Sequence, residues 1–316
     1  MQRKLKNIIF LLLLLTIYLP NSIKADEKYI LADSDFEMIG MENDSANIYV
    51  PKNYKKQNLI INSNGIKLDA YVLIPKSKNN RAIILLHGFN KLGKDHPLYK
   101  AMAHKLAEKN YLVLSFDFRG FNKSDSPRHI LNANDLDFAS DAVNAITYLD
   151  SHFHNIDALY IVGHSFGGGV AISAGIQDER INKIVSISPA RRTQELYFGE
   201  KPSRGLNWIK HKIKNNMHLS QEVPLKLIKP VFMPLTIDYF QHHFFYKPVL
   251  FIDGELEASE DKLFLQNYVK SIQAVEKSYI TIPKAAHYFG VFANQNVVKE
   301  EVIDNLINEI DKWLSK

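Results

Sequence analysis

Ala158-Leu-Tyr-Ile-Val-Gly-His-Ser-Phe-Gly-Gly-Gly169 decides the fold of this chain. Leu159 to Val162 is a short apolar run and reads as a buried strand. Gly163-His164-Ser165-Phe166-Gly167 follows it, and the small residues Gly168 to Ala174 read as a helix. Strand, G-x-S-x-G and helix in that order form the context of a nucleophile elbow. A serine at so tight a turn is held in a strained backbone conformation, which requires minimal side chains two residues to either side. The turn lifts the Ser165 hydroxyl above the sheet edge. It also aims the Phe166 N–H, at a helix N-terminus, at the place where an oxyanion would form. The competing reading is coincidence, at odds of roughly one in ten for a chain of this length and ordinary glycine usage. The strand before and the helix after weigh against it.

Outward from the elbow, strands and helices alternate. Asn58–Asn62 and Ile66–Ile74 flank Ser63-Asn64-Gly65, and an Asn-Gly between apolar runs predicts a hairpin. Strands are then expected over Arg81–Leu86, Tyr111–Phe116, Leu159–Val162, Lys183–Ile187, Val249–Ile252 and Ser278–Ile282. Helices are expected over Pro97–Lys109, Asp135–Ser151, Ser259–Ile272 and Val297–Leu314, the last carrying a stripe of Val298, Val302, Leu306, Ile310 and Leu314. Strands without period-two alternation, separated by amphipathic helices, imply an α/β fold with a mostly parallel sheet covered on both faces. Reactive groups gather at the carboxyl ends of strands in such sheets, and the motifs here sit at those ends.

Ala158–Gly169, together with His87-Gly88-Phe89, Asp117-Phe118-Arg119-Gly120 and a late His287, resembles the α/β-hydrolase superfamily. The likeness runs from about Asn58 to the C-terminus and is closest to the esterase, lipase and serine-aminopeptidase-like branches. It implies a triad in the chain order Ser, acid, His. Ser165 is the nucleophile, and His287, just after the last strand, stands where the family keeps its base. The acid belongs in the loop after Val249–Ile252, which reads Asp253-Gly254-Glu255-Leu256-Glu257. The family's Gly-x-x-Asp falls on Gly254 to Glu257, so Glu257 is the candidate, one methylene longer than usual. Asp253 is its rival and Glu255 a third choice. Ser186 to Ala190, after the preceding strand, offers no carboxylate. The resemblance further implies an oxyanion hole from the Phe89 and Phe166 amides, with His87 as scaffold and Asp117 outside the triad. His164 points the wrong way for a base.

Between Pro189 and Pro248 almost sixty residues lack a core strand. They contain Trp208, Tyr239, Phe240, Phe244, Phe245 and Tyr246, with a basic excess from Arg191 and Arg192 through Lys229. So long a stretch implies a helical cap, at about 190–247, rather than a loop. The family inserts such a cap after the sixth core strand, over the active site. A substrate-facing lid and a packing elaboration are the two readings of it. His242 and His243 lack a third metal ligand at sensible spacing.

Residues 1–25 form a leader: a basic start (Arg3, Lys4, Lys6), an apolar run from Ile8 to Leu19 and a small residue, Ala25, at the cleavage position. It reads as a secretory signal peptide, since the apolar run is short for a membrane span, with an uncleaved anchor as the minor alternative. Export to the periplasm or beyond follows. An acidic lead-in occupies 26–56, and the hydrolase domain 57–316. Losing the four basic residues of the leader takes the formal net charge from +5 to +1, so the basic balance supports no nucleic-acid partner. The absence of cysteine excludes a disulfide framework and thiol chemistry. No metal, nucleotide or flavin is indicated, and no cofactor is expected.

The expected activity is acyl-ester cleavage through an acyl-enzyme, on a small ester or short peptide, with transient membrane-surface contact through the cap. A serine peptidase of the aminopeptidase-like branch is the alternative within the same chemistry. A catalytically silent hydrolase fold serving as a binding protein is the alternative outside it. Dehalogenase or epoxide-hydrolase chemistry is disfavoured, because those branches place Asp where Ser165 stands.

Overall fold

Asn64 and Gly65 open the sheet as the sequence requires. β1 (Tyr54–Ser63) and β2 (Ile66–Pro75) pair antiparallel with Ser63 opposite Ile66. The two turn residues have φ of +52° and +87°, the left-handed geometry of a tight hairpin turn. The Asn62 carboxamide oxygen accepts the Gly65 N–H at 2.8 Å. A Cβ on Gly65 would meet no atom within 4 Å, so only backbone strain opposes a side chain there. Gly65→Ala is expected to cost about 1 kcal/mol, measured as a lower urea midpoint with unchanged slope.

This computed structural model describes residues 53–77, 80–190, 203–292 and 297–316. The leader at 1–25, the lead-in as far as 52, and Arg191 and Arg192 lie outside the described residues. The strands that follow are β3 (Arg81–Leu86), β4 (Leu112–Phe116), β5 (Ala158–His164), β6 (Ile181–Ile187), β7 (Val249–Gly254) and β8 (Lys277–Ile282). They lie in the order β1-β2-β4-β3-β5-β6-β7-β8. The β1–β2 and β2–β4 pairs are antiparallel and all the others parallel. The unbroken apolar runs are explained by cover on both sides. In β3, Ile84 and Leu86 pack into one core, and Ile83 and Leu85 into the other.

On one face lie α1 (Pro97–Glu108) and α7 (Glu300–Leu314), through Leu98, Met102, Leu306 and Ile310. On the other lie α2 (Phe138–His152), α3 (Phe166–Gln177) and α6 (Ser259–Ser271). Pro97 opens α1, and the His96 ring accepts the Leu98 N–H at its start. The expected start of α2 at Asp135 shifts to Phe138. Asn132 caps a separate turn over Ala133–Leu136, and the Asp137 carboxylate caps α2 by accepting the Ser140 N–H. Helix α7 likewise starts at Glu300, because Val297–Val298 pairs antiparallel with Val291–Phe292.

Between β6 and β7 the described chain holds α4 (Ser203–Asn216), α5 (Leu225–Phe232), short turns over Met233–Leu235 and Ile237–Phe240, and a two-residue strand, Phe244–Phe245, paired parallel with Gln273–Ala274. Contacts on two flanks pin this insertion. A Cβ on Gly169 of α3 would lie 1.7 Å from the Leu235 carbonyl oxygen, so turn and helix meet backbone to backbone. On the other flank Met217 bridges Phe121, the His218 N–H donates to the Gly120 carbonyl at 2.9 Å, and Gln221 donates to the Ile130 carbonyl at 3.0 Å.

Candidate active site

Only Ser165 separates the end of β5 from the first residue of α3. Its φ and ψ of 56° and −118° are strained for a residue with a side chain. The glycines make this turn possible. A Cβ on Gly163 would lie 1.9 Å from the Gly167 oxygen, and one on Gly167 would lie 2.5 Å from the His87 oxygen. Although Ser165 occupies the N-cap position, its hydroxyl makes no capping bond. It meets His287 Nε2 instead, at 3.1 Å.

His287 reaches that place from the loop after β8, which is laced to the loop after β7. The Glu255 and Leu256 N–H groups donate to the Ile282 and Ala285 carbonyls at 3.0 and 2.8 Å, and the Glu255 carboxylate accepts the Lys284 N–H at 2.7 Å. A Cβ on Gly254 would strike the Ala285 oxygen at 2.4 Å. The lacing brings Glu257 Oε1 to 3.5 Å from His287 Nδ1, within ion-pair range. Of the three carboxylates considered, Glu257 is thus beside the imidazole and Glu255 caps the neighbouring turn. Asp253 is buried in β7, with Oδ2 3.5 Å from the Tyr279 hydroxyl.

Phe89 and Phe166 stack edge to face at 5.2 Å. Neither amide N–H donates to a described hydrogen bond outside the regular elements, and the first N–H of a helix has no partner inside it. The Phe89 N–H shares a trans peptide with the Gly88 carbonyl, so the two point in opposite directions. That carbonyl is held by the His87 Nδ1–H at 2.7 Å, the Asn90 N–H at 2.9 Å and the Asn90 carboxamide at 3.1 Å. Meanwhile a Cβ on Gly88 would come within 3.2 Å of Ser165 Cβ. The His87 ring therefore aims the peptide. Its Nε2 accepts the Phe118 N–H, which leaves the proton on Nδ1, and burial pushes its pKa down to about 3.

Asp117 and Arg119 carry ion pairs away from Ser165. Asp117 accepts from the Lys94 backbone N–H at 2.7 Å and from its ammonium at 2.8 Å, and burial still raises its carboxyl to about 6. Arg119 forks onto buried Asp141, with Nη2 at 2.6 Å. The second core histidine, His164, lies beside His287 with ring centroids 4.8 Å apart, and burial holds its pKa well below the usual value. His242 and His243 are exposed, and no cluster able to hold a metal occurs among the described residues.

Three features were invisible in the sequence. Ser188, at φ +42° after β6, donates its hydroxyl to Glu257 Oε1. The one available signal was a serine at a strand end where some folds of this type keep an acid. Phe232 lies 6.1 Å from Phe89 and 6.3 Å from Phe166 by ring centroids. It brings a ring of the insertion against both phenylalanines, while Tyr239, Phe244 and Tyr246 are exposed. Tyr99 binds both Gly88 and His164, a link across 65 residues that no local pattern announces.

Comparison with known proteins points to the same fold. Residues 77–231 match the family model for serine aminopeptidase, S33. An AB hydrolase superfamily protein, YfhM, of Bacillus subtilis is 29% identical over 129 residues, covering 40% of this chain and 42% of that protein. The quorum-quenching protein AidA of Acinetobacter baumannii is 30% identical over 131 residues, 40% of this chain and 41% of that one. The chain thus spans about two fifths of the length of these curated relatives. Among solved structures, the Pyrococcus furiosus esterase Pf2001 superposes with a TM-score of 0.55 at 18% identity, covering 88% of this chain and 98% of that one. Est1E of Butyrivibrio proteoclasticus gives 0.54 at 18%, covering 82% and 100%. With a sheet in this strand order and kin described in these terms, the chain belongs to the α/β-hydrolase superfamily.

Proposed function

We propose that this hydrolase is an exported serine esterase that cleaves carboxylic esters through an acyl-enzyme. The observation that carries the reading is His287 Nε2 at 3.1 Å from the hydroxyl of a serine held at φ +56°. A serine hydroxyl becomes nucleophilic when a positioned base takes its proton. Glu257 beside Nδ1 keeps that proton on Nδ1 and leaves Nε2 to accept. Ser165 Oγ attacks the acyl carbon, and the Phe89 and Phe166 N–H groups receive the negative oxygen. His287 then passes the proton to the leaving alcohol, and water repeats the sequence to free the acid. Phe89, Phe166 and Phe232 favour an apolar acyl group. The leader at 1–25 supports export, and none of the described helices is long and apolar enough to cross a membrane. Exposed Leu225, Phe244 and Tyr246 suit transient contact of the cap with a membrane surface.

The test is intact mass after exposure to a fluorophosphonate. A single adduct on the wild type and none on Ser165→Ala is the expected result. A folded wild type that never labels overturns the reading and favours a binding protein on a hydrolase fold. The match to serine aminopeptidases supports a second reading, hydrolysis of peptides from their amino end. A panel of nitrophenyl esters against aminoacyl anilides separates the two, with faster ester turnover expected.

A further inference from the structure

We propose that Tyr99 and His164 are positioning residues, a buried hydrogen-bond relay that holds the oxyanion loop and the loop of the base in one register; this rests on the serine-hydrolase reading above. The relay begins at the Gly88 N–H, which donates to Tyr99 Oη at 2.7 Å. Tyr99 Oη lies 2.9 Å from His164 Nδ1, and His164 Nε2 lies 2.7 Å from the His287 carbonyl oxygen. The ends set every proton. An amide N–H can only donate and a carbonyl only accept. His164 therefore carries its proton on Nε2, donates it to His287, and accepts the Tyr99 hydroxyl at Nδ1. Tyr99 in turn accepts from Gly88. The assignment requires a neutral His164, and burial holds it neutral.

The relay transports no proton, because neither end titrates. Its work is geometric. Gly88 precedes the peptide whose N–H is the Phe89 oxyanion donor, and His287 carries the imidazole that meets Ser165. His164 is the residue before the nucleophile. One chain of three hydrogen bonds thus spans donor loop, elbow and base loop, with Tyr99 at 0% and His164 at 1% exposure. Both side chains are buried, so each deletion leaves a buried donor or acceptor unpaired.

The register matters because catalysis depends on the distance between oxyanion donor and nucleophile. A displacement of about 1 Å costs up to about 100-fold, and loss of one oxyanion donor about 100- to 1000-fold. Tyr99→Phe, which removes one oxygen and keeps the ring, is expected to lower kcat about 10- to 100-fold with KM changed less than threefold. His164→Leu should lose at least as much. His164→Gln, whose carboxamide can still donate toward His287, should retain more. Tyr99→Phe/His164→Leu should be no slower than His164→Leu alone, since both break the same chain.

The experiment measures p-nitrophenyl butyrate turnover per active site on the full chain. Sites are counted by fluorophosphonate labelling, so unfolded molecules drop out of the rate. Wild-type labelling and turnover with a slow Tyr99→Phe support the relay. Wild-type labelling and turnover with unchanged kcat per labelled site in Tyr99→Phe overturns it and leaves the bonds as packing alone. Additive losses in the double variant also overturn it. A wild type that neither labels nor turns over overturns the hydrolase reading itself, and the relay with it.

Discussion

Glu257→Gln is expected to lower kcat for ester hydrolysis by about 10⁴-fold, with Asp253→Asn within a few-fold of wild type. A carboxylate beside Nδ1 does two things for the base: it selects the Nδ1–H tautomer and stabilises the imidazolium formed when Ser165 gives up its proton. A carboxamide has no charge to offer, and its NH₂ would favour the opposite tautomer. On the proposed serine-hydrolase reading, Glu257 is the carboxylate that fits this role. Its Oε1 lies 3.5 Å from His287 Nδ1, and the same oxygen accepts the Ser188 hydroxyl. That clamp compensates for the extra methylene, since a longer side chain needs a second point of attachment. Asp253 Oδ2 lies 3.5 Å from the Tyr279 hydroxyl. Glu257→Asp should fall between wild type and Glu257→Gln. Rates per labelled site with p-nitrophenyl butyrate read all three. A collapse in Asp253→Asn with Glu257→Gln intact would reverse the assignment.

Mild acid is expected to destabilise the fold by about 3–5 kcal/mol between pH 7.5 and 5.5. Burial pulls His87 to about 3 and His96 and His104 to about 4 from an ordinary 6.5, and holds His164 well below it. In that window the unfolded chain binds protons that the folded chain refuses, so stability rises with pH and is lost as pH falls below 6.5. Each histidine contributes about 1.4 kcal/mol by one pH unit below its unfolded value. Asp117, raised to about 6, acts in the opposite sense, since the folded chain takes up its proton first. It offsets about 1 kcal/mol. Buried Asp141 shifts the same way. Urea midpoints at the two pH values measure the balance; a midpoint that held or rose at pH 5.5 would show that the imidazoles accept protons in place.

Much of this architecture is readable from residue pattern because its elements are long. The Arg81–Leu86 strand and the Ser259 start of α6 stand where periodicity places them, and the fold class follows from the alternation. Errors gather where a local hydrogen bond competes with the pattern. Asp135 looks like a helix start, but it serves the Asn132 capping box instead. Val297 and Val298 belong to the helical stripe by spacing, yet pair with Val291 and Phe292, a two-residue ladder too short to show periodicity. Ser165 and His287 were legible because a turn type and a place after a strand announce them. Ser188, Tyr99 and Phe232 were not, because each matters through a partner distant in sequence.

The Gly169 contact with Leu235 bears on how firmly the insertion is held. Two backbones touching without an intervening side chain leave no slack for sliding, and any larger residue at Gly169 would wedge them apart. With the Met217–Gln221 stretch tied down on the opposite flank, these two parts of the insertion are anchored to the rest of the domain. On the esterase reading proposed above, a wall anchored in this way would sort substrates by girth rather than by a closing motion.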